Sequence, residues 1–170
     1  ASRTRASAQR RKYRGQRDLL VNVGCGTNAV EGWVNVDVIR FPGVDCVFDC
    51  RKSLPFQDNS VRAIFTEHFV EHLEYSEEVI PFVAECLRVL QSGGRIRVVV
   101  PDAERYIRAY CDGGWPVLEA LRGLSPDHRD PFLPSRYDTR MELINTVFHQ
   151  GQEHRFGYDY ETLASVLKRV

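Results

Sequence analysis

The stretch Leu19 to Gly26, with the sequence LLVNVGCG, constrains the fold of this chain more than any other. Its apolar and β-branched residues are typical of a short buried strand, interrupted only by Asn22. The strand then ends at Gly24-Cys25-Gly26. Two glycines separated by one residue allow a tight turn, and a ligand can approach the backbone there without meeting a Cβ. The stretch therefore predicts a strand that places a glycine turn at one edge of a sheet.

A second short strand, about 34–38, carries an acid at its end, Asp37. Strand, glycine turn, strand and acid in this order form a nucleotide-binding arrangement, in which the acid accepts hydrogen bonds from ribose hydroxyls. A glycine turn alone is also a common structural turn, and acids at strand ends are often turn formers. The combination of the turn with Asp37 and a second strand-end acid, Asp49, favours the binding function.

The rest of the chain alternates strands with helices or loops, which is typical of an α/β fold with an open, mostly parallel sheet. The predicted strands are about 19–23, about 34–38, Asp45–Phe48, Arg62–Thr66 and Arg95–Val100. The handedness of crossover connections places strands two and three on one side of strand one, and strands four and five on the other. The sequence therefore predicts a Rossmann-like sheet with the strand order 3-2-1-4-5.

Helices are predicted between and after these strands. The loop 24–33 is too short for a full crossover helix, so a single helical turn is expected around Thr27–Val30. An apolar stripe predicts a helix before strand five, beginning near Val79 because Pro81 is unfavourable in a helix interior. Further helical segments are expected at 103–111, 116–122 and 138–149, separated by the proline-rich stretch 125–136. Asp159 is the expected N-cap of a last helix.

Charge divides the chain into two parts. The first seventeen residues hold seven basic side chains and no acid, whereas the remainder has 16 basic and 23 acidic residues. Residues 1–18 are therefore predicted to be a basic flexible arm, and residues 19–170 a single domain. The arm is interpreted as a solvated tail, with contact to nucleic acid as the less favoured alternative.

The composition is that of an ordinary soluble domain, with 43% hydrophobic and 27% charged residues among 170. No apolar run approaches the roughly 18 residues of a membrane span, and the first residues do not resemble a signal peptide. The five cysteines include no CxxC pair, which favours reduced thiols over a disulfide framework. These features predict a cytoplasmic location and no membrane partner.

Five segments in this order resemble the class I S-adenosylmethionine-dependent methyltransferases, and more closely the methyltransferase-type-11 group. They are LLVNVGCG, GWVNVD, DCVFDCRKSLPFQDNSV, AIFTEHFVEHL and LRVLQSGGRIRVVVPD. The resemblance covers about residues 19–111 and, weakly, 145–169. It implies S-adenosyl-L-methionine as cofactor and methyl transfer to an oxygen or nitrogen nucleophile. A small-molecule or glycan acceptor is expected.

The resemblance also implies roles for the residues around the glycine turn. Gly24, Cys25 and Gly26 would pass under the methionine part of the cofactor, and Asp37 would bind both ribose hydroxyls. Asn22 stands where the family usually has an acid; its amide can still form hydrogen bonds, but it does not compensate the positive charge of the cofactor.

The adenine and the methyl group of the cofactor would lie near the ends of strands three and four. Asp49 would accept a hydrogen bond from the adenine amino group, the Cys50 amide would face the ring, and Leu54 and Phe56 would form walls around the base.

Thr66, Glu67 and His68 would lie beside the methyl group. If the acceptor is a hydroxyl, a base assists its reaction, and the candidates are His68, Asp102 and His154, in that order.

Two further departures from the family pattern concern the sheet. The third glycine of the usual motif is missing, and the chain ends where strands six and seven of the family should begin, which suggests truncation at the C-terminus. Strand five would then be a bare edge, and such an edge favours pairing between two copies of the chain.

Three alternatives remain open. His68-x-x-Glu71-His72 has the spacing of an inverted zinc-peptidase motif, although the methyltransferase group has a similar segment after strand four, and no metal is expected. An NAD-dependent oxidoreductase is disfavoured by the missing third glycine and by Tyr110, which stands where a Tyr-x-x-x-Lys pair starting at Tyr106 would need lysine. The third alternative is a non-catalytic cofactor-binding module.

Overall fold

A computed structural model describes residues 2–51, 53–122 and 137–170. Its centre is a sheet of five strands: β1 (Leu19–Val23), β2 (Val34–Asp37), β3 (Cys46–Val47), β4 (Val61–Glu67) and β5 (Leu90–Val99). All neighbouring pairs are parallel, and the strand order is β3-β2-β1-β4-β5. The predicted α/β class and strand order are confirmed.

One face of the sheet carries the main hydrophobic core. Val21 pairs with Ile64 and Val23 with Thr66, so these side chains share a face. The core on that face includes apolar residues of α2 (Val79–Val89) and of α6 (Tyr160–Leu167). The predicted start of α2 at Val79 is confirmed, and so is the cap of α6, since the Asp159 carboxylate accepts a hydrogen bond from the Thr162 amide at 2.7 Å.

The connection between β1 and β2 is a loop held by two asparagines. The Asn22 amide donates to the Asn35 side-chain oxygen and to the Asn28 carbonyl, both at 3.0 Å. The same Asn35 oxygen accepts from the Val30 amide at 2.8 Å. The helical turn predicted at Thr27–Val30 does not form; instead a single turn is closed by the Asn28 amide on the Cys25 carbonyl. Side-chain amides here replace the hydrogen bonds that a helix would supply.

Residues 2–12 form a helix, α1 (Ser2–Lys12), where the sequence analysis predicted a flexible arm. The helix is followed by Tyr13, which is 4% exposed and packs edge-on against Phe56 at a ring distance of 5.2 Å. Lys12 donates to the Asp45 carbonyl at 2.8 Å, and Arg10 donates to the Ser53 hydroxyl at 3.1 Å. The basic side chains therefore fasten the segment to the loops around β3, and the prediction of a solvated tail is corrected.

A second group of helices follows β5. It consists of α3 (Ala103–Arg108) with a π-helical turn at Ala109–Gly113, α4 (Gly114–Arg122) and α5 (Arg140–His149). These helices form their own small core, which includes Tyr106, Leu118 and Leu143. The three predicted helical segments are present, while the proline-rich stretch 125–136 lies outside the described residues. Within the part of the chain that the structure describes, no helix has the length and apolar character to cross a membrane.

β5 is the last strand of the sheet. Among the described residues, the one further β-type pairing near it is a bridge between Asp102 and Tyr158, where the Ala103 amide donates to the Tyr158 carbonyl at 2.7 Å. Arg95 and Arg97 of β5 are exposed. The middle of β5 is therefore an edge in the described structure.

Candidate cofactor and acceptor site

The glycine turn at the end of β1 is fixed by two neighbours. The amides of Gly24 and Cys25 both donate to the Val36 carbonyl, at 2.9 and 3.1 Å. Gly24 has a φ of +69°, and a Cβ there would lie only 2.6 Å from the Phe69 ring. Gly24 is therefore required both by the left-handed backbone and by the close approach of Phe69.

Asp37 holds the other end of this turn. One carboxylate oxygen accepts from the Gly26 amide at 2.8 Å, and the other accepts from the Ile39 amide at 2.8 Å. Each oxygen of an ionised carboxylate has a second lone pair, so Asp37 can bind two ribose hydroxyls while it holds the turn. Asn22, in contrast, is 2% exposed and is engaged with Asn35, so its role in this structure is to brace the loop.

Cys25, between the two glycines, contributes a neutral thiol. Its side chain is buried, and burial, with a smaller contribution from the charge of Asp37, raises the pKa of Cys25 to about 11. A thiol with this pKa stays protonated at neutral pH, so it adds no negative charge beside a cationic cofactor.

A cavity of about 650 Å³ opens beside the ends of β2 and β3, where the adenine is expected. Its lining comes from the strand ends, the following loop and helix α1, and includes Val38, Val47, Phe48, Asp49, Arg5 and Arg10. The contribution of α1 was missed by the sequence analysis, which had treated the segment as a tail. Its amphipathic signal is weak, because Ala6 and Tyr13 are the main apolar contacts of a very basic segment.

Asp49 lies at this cavity with half of its side chain exposed. Arg51 binds it in a bidentate manner, with nitrogen–oxygen distances of 2.9 and 2.6 Å. Arg51 therefore occupies the carboxylate that was expected to accept from an adenine amino group, and it would compete with the adenine for Asp49.

The other residues assigned to the adenine lie in the core. Cys50, Leu54 and Phe56 are between 1% and 4% exposed. Burial raises the pKa of the Cys50 thiol well above its usual value. The structure does not place Leu54 or Phe56 on the lining of the cavity, where Val38, Val47 and Phe48 supply the apolar surface instead.

At the methyl side, β4 ends at Thr66, Glu67 and His68. Thr66 is fully buried, and its hydroxyl has no hydrogen-bond partner among the described residues. His68 has a φ of +51°, a left-handed conformation that is unfavourable for residues with a Cβ and is often found at functional sites. Its side chain is 61% exposed, and its Nδ1 lies 3.0 Å from a carboxylate oxygen of the buried Glu71. When Nδ1 of a neutral imidazole carries the proton, Nε2 is the nitrogen with the acceptor lone pair.

The other two candidate bases are placed differently. Asp102 caps α3 by accepting from the Arg105 amide at 3.3 Å. His154 is 7% exposed, and its Nδ1 lies 2.7 Å from the Val147 carbonyl. Burial lowers the pKa of His154. Of the three candidates, the structure leaves His68 the most exposed.

His154 instead joins a cluster that the sequence analysis did not anticipate. One possible ligand atom from each of Glu71, His72 and His154 lies within 4.8 Å of the other two. Backbone hydrogen bonds from Arg155 and Phe156 to the Glu71 carbonyl bring the segment around His154 to the 3₁₀ turn Val70–His72. Nothing in the sequence pairs these distant segments, so no motif could have revealed the cluster.

A comparison with known proteins identifies the family. Residues 34–98, from the start of β2 to near the end of β5, match a family model described as a methyltransferase domain. The match begins after the glycine turn. No curated protein matches the chain. The matched family binds S-adenosyl-L-methionine. The strand order and Asp37 agree with this match, which places residues 34–98 in a class I S-adenosylmethionine-dependent methyltransferase family.

Proposed function

We propose that the chain transfers a methyl group from S-adenosyl-L-methionine to an oxygen or nitrogen nucleophile of a small-molecule or glycan acceptor. The observation that carries this proposal is the proximity of the cofactor turn to the end of β4. Val23 pairs with Thr66, and the Phe69 ring lies directly against Gly24. The turn that would hold the cofactor and the exposed His68 therefore lie next to each other, at the carboxyl ends of the neighbouring strands β1 and β4.

The residues at these strand ends would have separate roles in the reaction. The cofactor supplies a methyl group on a sulfonium, which is a good leaving group. The protein then has to align the acceptor with that methyl group and exclude water. Asp37 and the turn Gly24–Gly26 would hold the cofactor, and His68 would take the proton of a hydroxyl acceptor at Nε2. Glu71 would orient the imidazole by accepting a hydrogen bond from its Nδ1–H group.

Nucleic acid is a less suitable partner in this structure. The basic helix α1 was the reason to consider it, but Lys12 and Arg10 are engaged with the loops of the same chain. Arg17, just after the helix, donates to the Asn59 carbonyl at 2.9 Å. The small acceptor is therefore the proposal that fits the placement of these charges.

The test separates binding from chemistry. We expect the parent protein to bind S-adenosyl-L-methionine in a calorimetric titration and to label one or more compounds in a panel of hydroxyl and amine acceptors with tritiated methyl. His68→Gln should bind the cofactor as the parent does, but should label a hydroxyl acceptor about 100-fold more slowly or worse. His149→Gln, which changes an exposed histidine outside the site, is the matched control.

Two results would count against the proposal. A parent protein that does not bind the cofactor contradicts the function itself. If His68→Gln labels a hydroxyl acceptor at the parent rate, His68 is not the base.

A further inference from the structure

The cluster of Glu71, His72 and His154 lies where two distant segments are joined. The Arg155 amide donates to the Glu71 carbonyl at 2.7 Å, so the backbone around His154 is held against the 3₁₀ turn Val70–His72. One possible ligand atom of each cluster residue is within 4.8 Å of the other two. Ligands of a tetrahedral zinc ion lie about 2.0–2.2 Å from the metal, and therefore roughly 3.5 Å apart. The separations exceed that spacing by at most about 1.3 Å, which the three groups would close on binding the ion.

Both histidines are oriented by backbone carbonyls. His154 Nδ1 lies 2.7 Å from the Val147 carbonyl, and His72 Nδ1 lies 3.2 Å from the Glu153 carbonyl. A carbonyl oxygen can only accept, so Nδ1 carries the proton in each ring, and in the neutral imidazole Nε2 has the lone pair. Histidines that bind metals usually make this kind of hydrogen bond with the second ring nitrogen.

Glu71 provides an independent observation. Its side chain is almost completely buried, and one carboxylate oxygen is 3.0 Å from His68 Nδ1. The other oxygen is buried and has no hydrogen-bond partner among the described residues. Burying a carboxylate oxygen without a hydrogen-bond partner costs free energy, and a bound cation would offset that cost.

We propose that Glu71, His72 and His154 bind one divalent transition-metal ion of the zinc type. Two imidazoles and one carboxylate are a ligand set of zinc sites that keep an open position. Imidazole nitrogen favours zinc, nickel, copper or iron over magnesium and calcium. The set differs from the motif considered in the sequence, where His68 and His72 were the ligands and Glu71 the base. The ion would fasten the segment around His154 to the turn that follows β4.

The experiment measures metal binding directly and without methyl donor. Cys111, the exposed thiol among the described residues, is replaced by serine in every protein so that it cannot bind the ion. Metal is removed with a chelator and the protein is dialysed against zinc, followed by elemental analysis. The variants are His72→Ala and Glu71→Gln, and His149→Ala is the matched control with an exposed histidine outside the cluster. Cobalt in place of zinc gives a visible absorption spectrum that reports nitrogen coordination.

We expect one zinc per chain in the parent and the control, and an affinity lower by about tenfold or more in both variants. Zinc should also raise the melting temperature of the parent and the control but not of the variants, because it binds only the folded state. Near-ultraviolet circular dichroism checks that each variant is folded. If His72→Ala does not fold, the test relies on Glu71→Gln, which keeps the shape of the side chain.

A parent that takes up no zinc, or a folded variant that binds zinc as tightly as the parent, overturns the proposal. Titration of the metal-free protein with S-adenosyl-L-methionine tests the proposed function separately, so the two can fail independently.

Discussion

At the scale of single residues, Asp37 combines a structural and a binding role. Its carboxylate holds the amides of Gly26 and Ile39, and it is the residue expected to bind the ribose. The sequence analysis favoured the second role over that of a turn former. The two backbone hydrogen bonds show that Asp37 also stabilises the turn, because their loss leaves amides of the turn without an acceptor.

We therefore expect Asp37→Ala to weaken binding of S-adenosyl-L-methionine by tens-fold or more. Two charge-assisted hydrogen bonds are lost, each contributing about 1.5–3 kcal/mol. The melting temperature without ligand should fall by several degrees. Calorimetric titration and thermal unfolding measure the two effects. Glu31→Ala, which removes an exposed acid from the neighbouring loop, is the control. If Asp37→Ala binds S-adenosyl-L-methionine as tightly as the parent does, Asp37 does not bind the cofactor.

The sequence was informative for residues whose role depends on near neighbours. Gly24 and Asp37 lie within one strand–turn–strand unit, so their spacing alone predicted that they would meet. His154 meets Glu71 only because the helices after β5 return the chain to the turn after β4. Long-range contacts of this kind depend on how the elements pack, and packing leaves no local pattern in the amino-acid sequence.

At the scale of elements, α2 is anchored to the loop before β4 by a small charged network. The Glu85 carboxylate accepts from the Leu54 amide at 2.7 Å and from the Arg88 guanidinium. Arg88 also donates to the Phe56 carbonyl at 3.0 Å and to Asp58. The hydrogen bond from Arg88 is the largest of the effects that lower the pKa of Glu85. The network positions the loop that continues from the cavity into β4.

Because of this network, we expect the stability of the protein to depend on pH. A carboxyl whose pKa is lowered by folding stabilises the protein above its unfolded pKa, about 4.5, and this contribution is lost as the pH falls through the folded value. Glu85→Gln should therefore reduce the free energy of unfolding by about 1–3 kcal/mol at pH 7. The difference from the parent should begin to shrink below pH 4.5, where Glu85 protonates first in the unfolded state.

Urea unfolding at pH 7, 5 and 3.5 measures that difference. Glu104→Gln breaks an exposed ion pair with Arg108 and is expected to have little effect at any of these pH values. A difference between Glu85→Gln and the parent that is the same at pH 7 and pH 3.5 would contradict the interpretation.

The element that the sequence failed to predict is α1. Its eleven residues contain no acid in the first turn and form no continuous apolar stripe. A short helix of this kind is marginal by itself, and its stability comes from contacts with the rest of the molecule. The strands, in contrast, carry dense apolar runs with the period of buried strands, and their order follows from general rules of connection.

At the scale of the whole molecule, β5 lies at one side of the sheet, and no further strand among the described residues pairs with it. In a parallel strand, the amide and carbonyl of one residue point to the same side. The Val99 carbonyl accepts from the His68 amide on the β4 side, so the backbone groups of Ile96 and Val98 point to the outer edge. Exposed strand edges pair readily with other chains, although the charges of Arg95 and Arg97 oppose such pairing.

We predict that two copies of the chain associate through this edge. Sedimentation at several protein concentrations should show a dimer that dissociates on dilution. Hydrogen exchange of the Ile96 and Val98 amides should be slower at high concentration, whereas the amide of Ser60, which is bonded to the Val89 carbonyl within the chain, serves as a control that does not change. A monomer at every concentration would show that the edge is not an interface.

The attachment of α1 has a consequence for the order in which the molecule assembles. Arg10 and its partner Ser53 are 43 residues apart, and Arg17 and Asn59 are 42 apart. An eleven-residue helix without a stable fold of its own has nothing to dock against until β3 and the loops around it are in place. We therefore expect this segment, although it precedes the sheet in the chain, to dock after the sheet has formed. Arg5 and Arg10 line the cavity beside the ends of β2 and β3, so the cavity would be complete only once α1 has docked.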